Sequence, residues 1–96
     1  MRQSNEHTIK EVINDFLESQ KLKTNLTEIN IINKWEELMG PLIAKKTTKI
    51  YFHQGKLFLY IESAPLRHEL NFQRSRIIAI VNTEAGEQLI EDVVLR

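Results

Sequence analysis

Residues 46–62 read Lys46-Thr47-Thr48-Lys49-Ile50-Tyr51-Phe52-His53-Gln54-Gly55-Lys56-Leu57-Phe58-Leu59-Tyr60-Ile61-Glu62, the pattern of a β-hairpin. With Gln54-Gly55 as the loop, His53 faces Lys56. Phe52 then faces Leu57, Ile50 faces Leu59 and Thr48 faces Ile61, all on one side of the ribbon. Tyr51 faces Phe58 and Lys49 faces Tyr60 on the other. The period-two alternation stays in phase across both strands, which fixes the register. Gln is not the preferred first residue of a tight primed turn, so a bulged four-residue turn is the alternative.

Before the hairpin the period is helical. Ile9, Val12, Ile13, Phe16 and Leu17 recur at three- and four-residue spacing and make one apolar stripe. Ser4 or Thr8 would cap this helix, and Thr8 with Glu11 fits a capping box. The polar run Gln20–Thr24 reads as a short connection, and Asn25 with Glu28 as a second start signal. Ile29, Ile32, Trp35 and Met39 form one stripe of a second helix, and Ile31, Leu38 and Leu42 a second, offset one. A helix apolar on two sides should be sandwiched, here between the first helix and a sheet. Gly40-Pro41 ends it.

After the hairpin, Ser63 caps a third helix that tolerates Pro65 in its first turn and carries Leu66, Leu70, Ile77 and Val81. Asn82–Gly86 closes it, and Leu89–Leu95 is a β-rich final strand. The order ααββαβ predicts an α+β fold: a three-stranded sheet with helices packed on one face. The last strand should run parallel to the strand before the crossover helix. Its position in the sheet stays open.

Ninety-six residues, 42% hydrophobic and 27% charged, predict one domain spanning 1–96 with a short flexible N-terminus. The longest apolar run is far short of the roughly 20 residues that cross a bilayer, and no signal region follows Met1. With no cysteine there are no disulfides, and the expected address is cytoplasmic with no membrane partner. Net charge is zero, which advertises no global field for nucleic acid. Its distribution is uneven. No acidic residue falls between Glu37 and Glu62, where Lys45, Lys46, Lys49 and Lys56 lie, whereas Glu84, Glu87, Glu91 and Asp92 crowd the C-terminal stretch.

Catalytic chemistry is not legible. His7, His53 and His68 have no metal-ligand spacing, no Gly-rich phosphate loop exists, and Ser63 is better explained as a helix cap than as a nucleophile. The expectation is a non-enzyme with no metal and no cofactor. Trp35 belongs to the core rather than to a partner surface.

The outer hairpin face is the candidate site. Tyr51, Phe58 and Tyr60 lie together, bordered by Lys49, Lys56 and His53. Aromatic rings interleaved with cations serve single-stranded nucleic acid, whose bases stack while phosphates meet the charges. The competing expectation is ordinary packing, in a dimer or under a terminus. Arg67 and Arg74, seven residues apart on the third helix, would extend a basic rim, against the plain alternative of a solvated helix face.

The run Trp35-Glu36-Glu37-Leu38-Met39-Gly40, then Ile43-Ala44 and Thr47, resembles the opening signature of a bacterial family. Gly55-Lys56-Leu57, Leu59, Ile61, Ser63-Ala64 and Glu69-Leu70 resemble its second block, and Ile90 through Arg96 its last strand. This is the family long labelled domain of unknown function seven hundred and twenty-one, which includes the DciA proteins. The resemblance implies a KH-like domain whose members assist loading of the replicative helicase and bind DNA. The Gly-x-x-Gly loop of true KH domains is absent, so a KH-style backbone clamp is not expected.

The functional expectation is therefore a DNA-replication accessory protein that binds the replicative helicase, single-stranded DNA, or both. Its site would be Lys49, Tyr51, Lys56, Phe58 and Tyr60 on the sheet, with Arg67 and Arg74 on the rim. The alternative is a protein-interaction module that never touches nucleic acid. A role on RNA comes third, carried by the KH-like analogy alone.

Overall fold

The computed structural model describes residues 9–96 and begins with a 25-residue helix α1, Ile9–Asn33. Gln20–Thr24 does not interrupt it, which corrects the expected two-helix sandwich. Those residues contain neither Gly nor Pro, and Gln, Lys and Leu are good helix formers, so nothing local stops the ladder. Asn25 is accordingly an interior residue of α1. The break comes later, at Lys34, after which α2 (Trp35–Met39) and α3 (Pro41–Lys46) follow in quick succession. Gly40, at φ 93°, ends α2, and Pro41 opens α3 rather than a loop. The expected flexible N-terminus, His7 and the caps Ser4 and Thr8 lie outside the described residues.

The hairpin is β1 (Thr47–His53) and β2 (Lys56–Ile61), antiparallel. Observed pairs are Lys49 with Tyr60, Ile50 with Leu59, Tyr51 with Phe58, Phe52 with Leu57 and His53 with Lys56. The loop is the two-residue form, with Gln54 at φ 49° and Gly55 at φ 76°, both left-handed as a primed turn requires. One pair differs. Thr47, not Thr48, opposes Ile61, with an irregularity between Thr47 and Lys49. Trp35 explains it: its Nε1 donates to Thr47 Oγ1 at 3.1 Å, and that hydroxyl donates to the Ile43 carbonyl at 2.6 Å. Thr47 is thereby drawn to the helical side although Lys49, two residues on, faces away. Thr48 takes up the change of phase as a bulge and donates its hydroxyl to the Tyr60 carbonyl at 3.2 Å.

After β2, Ser63 caps α4 (Ala64–Asn71) by accepting from the Leu66 N–H at 3.3 Å. The expected single third helix is two, because the chain turns at Phe72-Gln73 before α5 (Arg74–Ala85). Gly86 closes α5 in the left-handed conformation. The final strand β3 (Asp92–Leu95) is shorter than expected and runs parallel to β2, giving the order β1-β2-β3 with β2 central. The α+β class and the three-stranded sheet are as the sequence predicted.

Leu57, Leu59, Ile61, Ile90 and Val93 from the sheet side meet Ile31, Trp35, Leu70, Ile77 and Val81 from the helices, and these residues form the buried core. Lys34 joins Glu84 at 3.2 Å, tying the end of α1 to α5. The rest of α1 overhangs. Every residue from Ile9 to Lys23 is exposed, and the described chain measures 64 × 20 × 19 Å. No helix among the described residues is long and apolar enough to cross a membrane.

Asn82 sets where β3 begins. Its Oδ1 accepts from the Leu89 and Ile90 N–H groups at 2.9 and 3.0 Å, and its Nδ2 donates to the Ile90 carbonyl at 3.0 Å. Asn82→Leu would leave those half-buried backbone groups without partners. It is expected to cost about 2–3 kcal/mol, read from denaturant unfolding followed by Trp35 fluorescence. Gln54→Asn should act the other way, because Asn tolerates the left-handed region better, raising stability by up to about 1 kcal/mol in the same measurement.

Candidate nucleic-acid interface

With α1, α4 and α5 packed on the inner face of the sheet, the outer face is formed by the alternate residues of each strand. Tyr51 and Phe58 stand opposite one another on β1 and β2 as a parallel stack, ring centroids 4.8 Å apart and planes 4° apart. Tyr60 joins diagonally, 6.3 Å from Tyr51 at 30°. Lys49 Nζ lies 5.2 Å from the Tyr51 ring centroid and 5.3 Å from that of Tyr60. At the other end the Arg96 guanidinium sits 5.7 Å over Phe58. A row of rings is thus capped by a cation at each end, each contact of a kind worth about 0.5–1 kcal/mol where exposed.

Arg96 was not among the residues the sequence nominated. Its N–H donates to the Leu59 carbonyl and its own carbonyl accepts from the Ile61 N–H, so it extends β3 along β2. The signal was present in the pairing of a parallel last strand: Val94 lies beside Phe58, and Arg96, two residues on, shares its face. Locating that strand next to β2 required the fold.

The nominated residues separate into two groups. Lys49, Tyr51, Phe58 and Tyr60 come together as one cluster, with Lys56 exposed at the turn end of the same face and His53 beside Phe58 at 6.5 Å. Arg67 and Arg74 do not join the cluster. Arg67 donates to the Ile61 carbonyl at 2.6 Å, holding the β2–α4 junction. Arg74 faces Asp92 at 3.8 Å and Asn71 at 3.4 Å, linking α5 to β3.

The stacking has a chemical consequence. Most of the ring faces that a nucleobase would use are met by a neighbouring ring, by Lys49 or by Arg96. What the row presents outward is ring edges, which carry the positive end of the aromatic quadrupole, together with ammonium and guanidinium groups. Such a surface is suited first to anions. Among the described residues no group of three His, Asp or Glu is placed to hold a metal ion.

Tyr51 titrates above the ordinary phenol value of 10.0. Its hydrogen bond with Tyr60 is the main cause, followed by partial desolvation and the nearness of the Tyr60 phenol, against a lowering by Arg96. The chain has two tyrosines, so the ultraviolet phenolate titration is readable. In Tyr60→Phe the Tyr51 transition should move down towards the ordinary value. In Arg96→Ala it should move up.

No curated protein and no solved structure matches the chain. The family model described as Dna[CI] antecedent, DciA matches residues 8–95. That family is associated with helicase loading in DNA replication. The match covers nearly the whole sequence in a single span, and this chain belongs to the DciA family.

Proposed function

We propose that this chain is a replication accessory protein that contacts the replicative helicase and single-stranded nucleic acid, the latter through the outer face of its sheet. The observation that carries the nucleic-acid reading is the ring row capped by Lys49 and Arg96, with Lys56 on the same face. Phosphates would meet these three cations. Bases would lie against the ring edges, and full stacking would require Lys49 or Arg96 to leave its ring. Binding should then be led by charge and tolerant of sequence. Arg67 and Arg74, engaged in contacts that hold the fold, would act on binding only indirectly.

A second reading, a protein-interaction module that does not bind nucleic acid, draws on two observations. The formal net charge is zero. The ring faces already satisfy one another.

Fluorescence anisotropy with labelled single-stranded DNA, at low and at physiological salt, separates the two. The proposal expects saturable binding whose logarithmic salt slope is about −2, three phosphates at about −0.7 each. Arg96→Glu and Lys49→Glu should each weaken it at least about tenfold, and the double variant Tyr51→Ala/Phe58→Ala by a similar factor, on the order of 1–3 kcal/mol. Absence of saturable binding at low salt would leave the protein-interaction module standing.

A further inference from the structure

β3 lies at the edge of the sheet, and its backbone groups divide by phase. Arg96 turns its N–H to the Leu59 carbonyl and its carbonyl to the Ile61 N–H, so Arg96, Val94 and Asp92 direct their backbone groups at β2. Val93 and Leu95, in the opposite phase, point theirs away from the sheet. Val93 bears this out: its N–H is met at 2.8 Å by the Asp92 carboxylate rather than by β2. Side chains alternate as well. Val93 is buried and Leu95 packs against the core, whereas Arg96 lies over Phe58 on the outer face, the face of Val94.

An edge of this kind accepts a further strand, and its chemistry selects which one. From Asp92 to Arg96 the strand reads acid, apolar, Val, apolar, base. Turned end for end about Val94, it meets its own complement. Asp92 then faces Arg96 of a second copy, Arg96 faces that copy's Asp92, and Val93 faces Leu95 on the inner side. Backbone phase agrees, because the members of a hydrogen-bonded antiparallel pair must point at each other, and Val93 and Leu95 are the residues that point outward. A centre between two residues is excluded, since it opposes an outward-pointing residue to an inward-pointing one. Moving the centre to Val93 or Leu95 keeps the phase but separates both charge pairs. The opposite edge offers no such match: β1 carries Lys49 and no acidic residue.

We propose that β3 pairs antiparallel with β3 of a second copy, about a two-fold axis through Val94, and joins the two sheets into one. The axis stands perpendicular to the sheet, which keeps both ring rows on one side and both helix layers on the other. Asp92 would pass the Val93 N–H to the second copy's Leu95 carbonyl and turn to its Arg96, with Arg74 still alongside. The Arg96 guanidinium can stay over Phe58, since it donates in its own plane while stacking with its face. The paired stretch is short, so the dimer is one that forms as concentration rises. This inference does not rest on the nucleic-acid reading, and its test contains no nucleic acid.

Sedimentation equilibrium of the full chain should show the mass rising with concentration from 11.3 kDa towards twice that value. Arg96→Asp sets like charges opposite one another at both ends of the seam and should weaken association at least about tenfold. Combining it with Asp92→Arg restores opposite charges and should recover the dimer. Fluorescence of the buried Trp35 checks that each variant keeps its core. The chain has no cysteine. Val94→Cys sits on the axis at a non-hydrogen-bonded position, where opposed Cα atoms are about 4.5 Å apart, and should form an intermolecular disulfide on mild oxidation. Lys49→Cys, on the β1 edge, should form one far more slowly. A single-copy mass at every concentration would overturn the proposal. So would a dimer indifferent to Arg96→Asp, or one that Lys49→Cys crosslinks as fast as Val94→Cys.

Discussion

The two-residue turn at Gln54-Gly55 fixes the register of the hairpin, and through it the two faces of the molecule. Because side chains alternate with a period of two, slipping β1 against β2 by one residue would place Ile50 and Phe52 outside and bring Tyr51 and Lys49 onto the core. The central strand is the most sensitive part: Leu57, Leu59 and Ile61 are buried while Phe58 and Tyr60 between them face out. β3 inherits that alignment by pairing in parallel with β2, and so Arg96 arrives over Phe58. A backbone constraint at one tight turn thus decides which cations meet which rings more than 15 Å along the strand, at about 3.3 Å per residue.

The other end of β1 is held by different means. Trp35, buried against the sheet, reaches Thr47 with its one polar atom, and the bulge at Thr48 reconciles that anchor with the phase set at the turn. At this end of β1 one indole nitrogen ties the helix layer to the sheet. Asn82 does comparable work for the crossover, converting the loop after α5 into the start of β3. In both places a single polar side chain substitutes for regular backbone pairing where the chain changes direction.

How much of this could be read in the residues depended on whether the signal was local. Strand alternation and the Ser63 cap are written in neighbouring residues, and both appear in the structure. The continuity of α1 was misread because the polar run Gln20–Thr24 looked like a connection, although polarity alone does not end a helix in the absence of Gly or Pro. The turn at Phe72-Gln73 was missed for the complementary reason: no breaker marks it, and the demand comes from packing Leu70 and Ile77 onto one core. At the candidate site the cross-strand rings were legible from the hairpin register. The mutual stacking that occupies their faces was not, because side-chain torsions are not encoded in alternation. Arg67 and Arg74 were nominated for their charge, whereas the fold spends that charge on a carbonyl and a carboxylate.

The overhanging helix also changes how the molecule moves through solvent. With a long axis of 64 Å against two short ones near 20 Å, the described residues have a radius of gyration of 17.8 Å, where a compact chain of this length would have about 12–13 Å. Friction follows extent rather than mass. Such a rod leaves a size-exclusion column ahead of spherical standards of its own weight. Its end-over-end tumbling is slower than its spin about the long axis, so backbone amides lying along α1 and those directed across it sense different rotational correlation times.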